Sequence, residues 1–174
     1  MKILLSHSYF LRFDPKQWNI GLPYAPLGTL YAAATLRQSG YEVAVFDTMF
    51  SREAFEVNKE LEGIKPDLFV IYDDGFNYLT KMCLTNMREA AFEMIRLAKQ
   101  KGSTVIVSSS DATDHYEDYL NKGADFIVIG EGEQTVSDLA FQFANGTKEF
   151  QHIPGIIYRT TQNLIKTANR NVIR

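Results

Sequence analysis

The chain has 174 residues, of which 45% are hydrophobic and 22% are charged, with a formal net charge of −3 and a pI of about 5.6. This ordinary globular composition allows one sizeable core, and its acidity argues against nucleic-acid and anionic-membrane partners, which call for clustered Lys and Arg. Cys83 is the single cysteine, which excludes an internal disulfide and a cysteine-built metal site. No apolar run approaches about 20 residues and no secretory signal opens the chain, so we expect a cytoplasmic domain.

Apolar runs without polar alternation mark the strands of the first half, as is typical of strands buried on both faces of a parallel sheet. They fall at residues 3–5, 43–47 and 68–72. Between the first two runs, the stretch from His7 to Tyr24 exceeds the usual connection of about 4–6 residues, so we expect it to be functional or mobile. A helix is predicted over residues 51–63, with Ser51 as its N-cap.

A further helix is predicted to begin at Pro26 and end at Gly40. Its apolar stripe at helical spacing consists of Leu27, Leu30, Tyr31 and Ala34. Leu36 lies outside that stripe, so a second side of this helix could also be covered by the rest of the protein. The small residues 32–34 would let this helix lie close to a sheet.

The second half repeats the pattern with a long helix over residues 78–101, strands at 104–107 and 126–129, and a short helix near 113–120. The predicted buried side of the long helix consists of Met87, Ala91, Met94, Ile95 and Ala98. The helix after the last of these strands ends near Gly146.

Five repeats of strand and helix predict an α/β protein with a flavodoxin-like (Rossmann-like) doubly wound parallel five-stranded sheet. After Pro154, residues 155–159 and 164–166 predict a C-terminal β-hairpin, whereas residues 167–174 carry no periodicity. We therefore expect one domain over residues 1–150, a β-hairpin and linker over 151–174, and a chain that is part of a longer protein.

Four of the predicted strands carry glycine, serine or short polar residues toward one edge of the sheet. Gly130-Glu131-Gly132-Glu133 follows the fifth strand directly, residues 108–111 end the fourth, residues 73–77 end the third, and residues 23–28 end the segment after the first. The carboxyl ends of parallel strands meet at the edge where open α/β sheets bind ligands. Small side chains there leave room for a broad ligand to rest on backbone.

The sequence motifs of dinucleotide-binding and nucleotide-binding sites are not met. Gly130 and Gly132 lack a third glycine and follow the fifth strand, where a dinucleotide fold would use the first. No Gly-Lys-Ser/Thr sequence is present, and the first strand does not end in the acidic pair of a phosphorylatable receiver.

Metal and acid–base sites are also not favoured. The three histidines, His7, His115 and His152, are far apart and are interpreted as surface or loop residues. A solvated turn is the preferred interpretation of Asp73 and Asp74, and Cys83 is assigned to packing.

Three segments taken together nevertheless resemble the N-terminal cobalamin-binding domain of B12-dependent radical S-adenosylmethionine enzymes. They are Pro26-Leu27-Gly28-x-x-Tyr31-x-Ala33-Ala34-x-Leu36-x-x-x-Gly40-Tyr41-x-Val43, Gly130-Glu131-Gly132-Glu133-x-Thr135, and Ile153-Pro154-Gly155-Ile156-x-Tyr158-Arg159. The resemblance covers nearly the whole chain. It implies a flavodoxin-like domain that holds the corrin over the carboxyl edge of its sheet.

The resemblance also implies which residues contact the cofactor. Those expected to flank the corrin are Tyr24, Leu27, Gly28, Asp74, Gly75, Phe76 and Asn77. Those expected along the nucleotide tail are Ser108, Ser109, Ser110, Asp111, Gly130, Glu131, Gly132 and Glu133. The turn at residues 108–111 departs from the Gly-Gly-Pro-His-like turn of the family, and the Asp-x-His-x-x-Gly motif that supplies a cobalt ligand in mutases is absent.

In the family, a downstream domain with Cys-x-x-x-Cys-x-x-Cys binds a [4Fe-4S] cluster and S-adenosylmethionine. This chain lacks those cysteines, so we expect it to be non-catalytic alone, with cobalamin and a downstream radical S-adenosylmethionine domain of a methyltransferase as partners. Two alternatives stay open. One is a cofactor-free interaction module docking through Tyr9, Phe10, Phe13 and Trp18, and the other is a flavin-binding protein of the same fold.

Overall fold

The arrangement of secondary structure follows the predicted alternation of strands and helices. A computed structural model describes residues 1–73 and 84–171. The strands are β1 (Lys2–Ser6), β2 (Glu42–Phe46), β3 (Leu68–Tyr72), β4 (Thr104–Ser108), β5 (Phe126–Val128), β6 (Ile156–Arg159) and β7 (Leu164–Lys166). The helices are α1 (Pro15–Ile20), α2 (Leu27–Gln38), α3 (Val57–Ile64), α4 (Leu84–Gln100), α5 (Ser110–Asp114), α6 (Tyr116–Asn121) and α7 (Glu133–Ala144). Short 3-10 turns occupy Leu11–Phe13, Ala54–Glu56 and Phe150–His152.

Within the described ranges the strands form one sheet in the order β2-β1-β3-β4-β5-β6-β7. The first five are parallel, and their order 2-1-3-4-5 is the flavodoxin-like order predicted from the sequence. The predicted hairpin does not stand apart from this sheet. β6 pairs antiparallel with β5 and β7 with β6, so the hairpin extends the sheet from five strands to seven.

Helices cover both faces of the sheet and enclose two apolar clusters. One face packs on α3, α4 and α6, and the other on α2 and α7. The predicted buried side of α4 is confirmed, since Met94, Ile95 and Ala98 have no exposed surface and Ala91 and Met87 are at most 5% exposed. Burying such side chains contributes about 1.5–3 kcal/mol for each large one.

The predicted orientation of α2 is wrong. Leu27, Leu30 and Tyr31 are 56%, 41% and 67% exposed, whereas the buried face consists of Thr29, Ala32, Ala33 and Leu36. The sheet lies close to this helix, and small side chains with one leucine fill the gap. The larger apolar residues are therefore left on the opposite face.

The segments that flank β2 also differ from their predictions. The connection after β1 contains Leu11–Phe13 and α1, and Tyr9 and Phe10 are buried, so of the aromatic residues proposed for docking there only Trp18 is largely exposed. Ser51 is not an N-cap, because a 3-10 turn precedes α3 and that helix begins only at Val57. No helix in the described ranges is both long and apolar enough to span a bilayer.

Thr167 and Ala168, at the start of the predicted linker, are hydrogen-bonded beside β6. The Thr167 backbone N–H donates to the Ile156 carbonyl at 3.0 Å, and the Gly155 N–H donates to the Ala168 carbonyl at 2.7 Å. The boundary at residue 150 and the link to a further domain stay predictions.

Candidate functional site

A cavity of about 660 Å³ opens at the carboxyl ends of β3, β4 and β5. It is within the size range of sites for small molecules and cofactors, about 300–1,000 Å³. The residues around it are Gly28, Tyr72, Asp73, Ser108, Ser109, Ser110, Thr113, Asp114, Val128, Gly130, Glu131, Glu133, Arg170 and Asn171. The strand order changes direction between β1 and β3, so the cavity borders the switch point where such sheets bind ligands.

Most of the predicted cofactor contacts that the structure describes meet at this cavity. Gly28, the three serines of residues 108–110, Gly130, Glu131 and Glu133 all border it. Tyr24, Leu27, Asp111 and Gly132 are not among the described lining residues. Asp74, Gly75, Phe76 and Asn77 lie outside the described residues, as does Cys83. The cofactor contacts of these four residues and the packing role of Cys83 stay predictions.

The turn after β4 is fixed by hydrogen bonds within the protein. The Ser109 hydroxyl accepts from the Ala112 backbone N–H at 2.9 Å and so caps α5. Ser110, the first residue of that helix, is exposed. The serine run therefore supplies both the cap that holds the turn and a hydroxyl that a ligand can reach.

Asp111 points away from the cavity into a buried polar cluster. Its carboxylate accepts two hydrogen bonds from the Arg88 guanidinium, at 2.6 and 2.8 Å, and one from the Tyr119 hydroxyl at 2.8 Å. Burial opposes ionisation, yet these hydrogen bonds and the Arg88 charge hold the pKa of Asp111 below its usual value. The anion therefore has its partners inside the protein, behind the turn it helps to hold.

The two glycines of the turn after β5 have different reasons to be glycine. Gly130 has φ +77°, and a Cβ added there would meet no atom within 4 Å, so its backbone conformation alone requires glycine. At Gly132 a Cβ would lie 2.7 Å from the Ser108 hydroxyl and 2.8 Å from the Tyr72 ring. Gly132 thus permits close packing within the protein, and only Gly130 leaves open space beside the turn.

Tyr72 joins the third, fourth and fifth strands at the cavity wall. The Thr29 hydroxyl donates to its carbonyl at 2.7 Å, which ties the start of α2 to the end of β3. Burial, followed by the nearby charge of Glu133 and a hydrogen bond to it, raises the pKa of the Tyr72 phenol. The phenol therefore stays protonated beside Glu133, which is the first residue of α7.

Asp73 follows β3 and is only partly exposed, because its carboxylate is bound by the segment after β1. Its two oxygens accept from the Ser8 backbone N–H at 2.6 Å and from the Ser8 hydroxyl at 2.8 Å. Burial nevertheless raises the pKa of Asp73. Composition gives no sign of this contact, because Ser8 and Asp73 are 65 residues apart.

His7 lies in the loop after β1, in line with its interpretation as a surface or loop residue, but it is buried there. The side-chain nitrogens lie 2.8 Å from Asp47 and 3.2 Å from the Thr48 hydroxyl, both just beyond the neighbouring strand β2. His115 and His152 are exposed as predicted. Across the described residues, no cluster of three His, Cys, Asp or Glu side chains could hold a metal ion.

Sequence reasoning did not assign several residues around the cavity to the cofactor: Tyr72, Asp73, Thr113, Asp114, Val128, Arg170 and Asn171. Tyr72, Asp73 and Val128 lie at or just after the end of a strand, the signal that identified their neighbours, and Thr113 and Asp114 lie in the helix that follows β4. Arg170 and Asn171 had no such signal, because they reach the cavity from the aperiodic end of the described chain.

Comparison with known proteins agrees with this geometry. The family model of the B12 binding domain matches residues 18–140. No curated protein matches the chain. The similarity predicted from the three sequence segments is therefore confirmed by a match to most of the domain.

Solved structures share the fold. The radical S-adenosylmethionine methyltransferase TsrM from Kitasatospora setae, with cobalamin and a [4Fe-4S] cluster bound, superposes with a TM-score of 0.74 at 18% identity over 99% of this chain. The cobalamin-dependent S-adenosylmethionine radical enzyme OxsB, with aqua-cobalamin and S-adenosylmethionine bound, gives 0.72 at 17% identity over 98% of it. The chain spans 30% of the first protein and 22% of the second.

Proposed function

The chain belongs to the B12-binding domain family, and from that premise we propose that it positions cobalamin for a radical S-adenosylmethionine domain of a methyltransferase. The observation on which this proposal depends is the open cavity at the carboxyl edge of the sheet, to which the ends of three strands and the start of α2 contribute. The solved neighbours, which are much longer than this chain, support the role of a second domain.

The residues around the cavity fit the chemistry of cobalamin. The side chains of the described residues do not fill the cavity. Gly28, Gly130 and the serines of residues 108–110 give part of its wall no side chain or only a small one. The amide groups at the edge of a corrin can donate to the carboxylates of Glu131 and Glu133 and exchange hydrogen bonds with hydroxyls. A broad, uncharged, amide-rich ring therefore finds matching partners here.

The residues of the chain would bind and orient the cofactor while cobalamin itself supplies the cobalt centre for methyl transfer. The β4 turn presents the Ser110 hydroxyl from a helix that the Ser109 cap fixes. The Tyr72 phenol and the Glu133 carboxylate lie near each other on the same wall. At Gly130 no side chain would obstruct the ligand, and no other atom lies within 4 Å of the position of a Cβ.

Purification in the presence of hydroxocobalamin tests cofactor binding. We expect the corrin absorption to stay with the protein after gel filtration. Ligand at 100 times Kd should stabilise the fold by about 2.7 kcal/mol. No retained colour and no thermal shift would overturn the assignment.

A matched pair of substitutions locates the bound ligand. Ser110→Phe fills the cavity from an exposed lining position and should abolish retention of the corrin. Gln162→Phe adds the same ring to the exposed β6–β7 turn and should leave retention unchanged. Equal retention by both variants would place the cofactor elsewhere.

The positioning role has its own test, which uses the radical S-adenosylmethionine domain of a TsrM-like methyltransferase supplied in trans. We expect that domain to associate more tightly with the cobalamin-loaded chain than with the empty chain, because the corrin would form part of the contact. Association that ignores cobalamin would contradict positioning.

A second candidate is a docking module that acts without cofactor, and the exposed stripe of α2 favours it. Leu27, Leu30 and Tyr31 lie on one helical face, and Trp18 is 42% exposed nearby in sequence. Apolar stripes of this kind mark interaction sites. This function would be supported if the chain bound the radical S-adenosylmethionine domain without cobalamin and lost that binding in Trp18→Ala and Tyr31→Ala.

A further inference from the structure

The last described residues carry an arginine back to the cofactor cavity. β7 ends at Lys166, and backbone hydrogen bonds hold the following residues beside β6 as far as Ala168. Two residues later, Arg170 lines the cavity together with Asn171. A segment with no periodicity in sequence thus contributes to the wall of the cavity.

The Arg170 guanidinium is fixed against α7. Its Nε donates to the Thr135 hydroxyl at 2.8 Å, and one terminal nitrogen is paired with the Asp138 carboxylate. Thr135 is fully buried and the Arg170 side chain is only 18% exposed. A guanidinium has five N–H donors in a planar fork, so these two contacts orient it and leave donors for a further acceptor.

Arg170 differs in charge from the other charged residues of the described cavity lining. The other charged residues among the described lining are the acids Asp73, Asp114, Glu131 and Glu133. Arg170 is the only cation of that described lining. An anionic group of a ligand would be repelled along most of the wall, so its favourable place is beside Arg170.

We infer that Arg170 binds the phosphodiester of the cobalamin nucleotide tail. This inference rests on the proposed cofactor. The phosphodiester is the peripheral group of cobalamin that keeps a negative charge at all physiological pH values, while the corrin edge carries uncharged amides. Arginine recognises such a group through paired, charge-assisted hydrogen bonds. Arg170 therefore sets the direction in which the tail enters and selects for the complete cofactor.

Comparison of cobalamin with cobinamide, which lacks the phosphate and nucleotide, isolates this contact. Both ligands are used in the dicyano form so that they share axial groups. Arg170→Ala should weaken cobalamin binding by roughly 10–100-fold, as expected for a lost hydrogen bond to a charged group, and should change cobinamide binding by less than about 2-fold. Arg170→Lys keeps the charge without the fork and should be intermediate.

Arg159→Ala is the matched control, because that arginine is exposed on β6 and bonds to Asn121 away from the cavity. It should alter neither affinity. Equal weakening of both corrins by Arg170→Ala would mean that the side chain only holds the wall, and would overturn the inference. So would unchanged cobalamin affinity.

The wild-type chain gives an independent test if the variant does not fold. Added inorganic phosphate should weaken cobalamin binding several-fold and leave cobinamide binding unchanged, since phosphate competes for the guanidinium. KCl should weaken cobalamin binding less, because salt only weakly screens a contact made by a side chain that is 18% exposed. Equal response of both ligands to phosphate would overturn the inference. Binding of both ligands with equal affinity would also overturn the role of Arg170 while sparing the proposed function. Binding of neither would overturn both.

Discussion

The two neighbouring turns that border the cavity, after β4 and after β5, are held in opposite ways. The turn after β4 is fixed from behind by the buried carboxylate of Asp111, which binds Arg88 and Tyr119. The turn after β5 has no comparable side-chain cluster in the described residues and depends on the geometry of Gly130 and Gly132. One wall is therefore positioned by charge and hydrogen bonds, and the other by the absence of side chains.

This difference explains how a turn that departs from its family can still border the same site. An aspartate facing the cofactor would add one more negative charge to an acidic wall. The structure instead places that charge under α5, where Arg88 neutralises it. The departure changes what supports the turn and keeps the cavity side small and polar.

Among the substitutions that test how the two turns are held, removal of the Asp111 carboxylate should reduce stability most. Asp111→Ala leaves the Arg88 guanidinium and the Tyr119 hydroxyl without their buried acceptor, so we expect a loss of about 2–4 kcal/mol in the free energy of unfolding. Urea denaturation measures this loss. Asp114→Ala, on the same helix but exposed, should change stability by less than about 0.5 kcal/mol. Similar small effects of both substitutions would show that the cluster does not support the β4 turn.

Substitution at Gly132 should have the next largest effect. A Cβ there would overlap the Ser108 hydroxyl and the Tyr72 ring, so Gly132→Ala should cost about 1–3 kcal/mol. Ser108→Ala removes one of the two clashes, and the double variant should recover part of the loss in a double-mutant cycle. Strict additivity of the two substitutions would contradict direct packing between the turns.

Substitution at Gly130 should have a smaller effect with a different cause. No atom opposes a Cβ at this position, but a φ of +77° is unfavourable for alanine, so Gly130→Ala should cost about 1 kcal/mol. Gly130→Asn should cost less, because asparagine tolerates this conformation. Equal losses for the two variants in urea denaturation would point to a steric cause and remove the distinction between the glycines.

The sequence predicted the sheet better than it predicted the surfaces of the helices. Continuous apolar runs mark buried strands, and five repeats of strand and helix favour the flavodoxin-like strand order, which the structure has. The same periodicity succeeded for α4, where large residues such as Met94 and Ile95 fill a deep interface. It failed for α2, because a close interface selects Ala32 and Ala33 and leaves the larger Tyr31 outside. Residue size misleads wherever helix and sheet approach closely.

The cavity wall was predictable where strand ends supply it and unpredictable where distant segments meet. Gly130 and the serines of residues 108–110 follow strands directly, and the topology alone brings them together. Arg170 meets Thr135 across 35 residues, and no periodicity encodes that contact. The same holds for the partners of Asp111, since the chain shows an acid in a turn without showing which way it points.

Two carboxylates beside the cavity should finally respond to pH in opposite directions. The pKa of Asp73 is raised in the folded protein, mainly by burial, so its contribution to stability is greatest below the unfolded pKa near 3.8 and is lost as pH rises through the folded pKa. The pKa of Asp111 is lowered, so its contribution is present above 3.8 and is lost as pH falls through the folded pKa.

Unfolding free energies of wild type, Asp73→Asn and Asp111→Asn measured across this range would separate the two contributions. Relative to Asp73→Asn, the wild type should lose stability as pH rises above about 4, because only the wild type must ionise a buried acid. Relative to Asp111→Asn, it should lose stability as pH falls below about 4, because protonation removes the charge that Arg88 pairs with. Parallel pH profiles for all three proteins would mean that neither acid has a different pKa in the folded and unfolded states. Charge would then not explain how the turn after β4 is held.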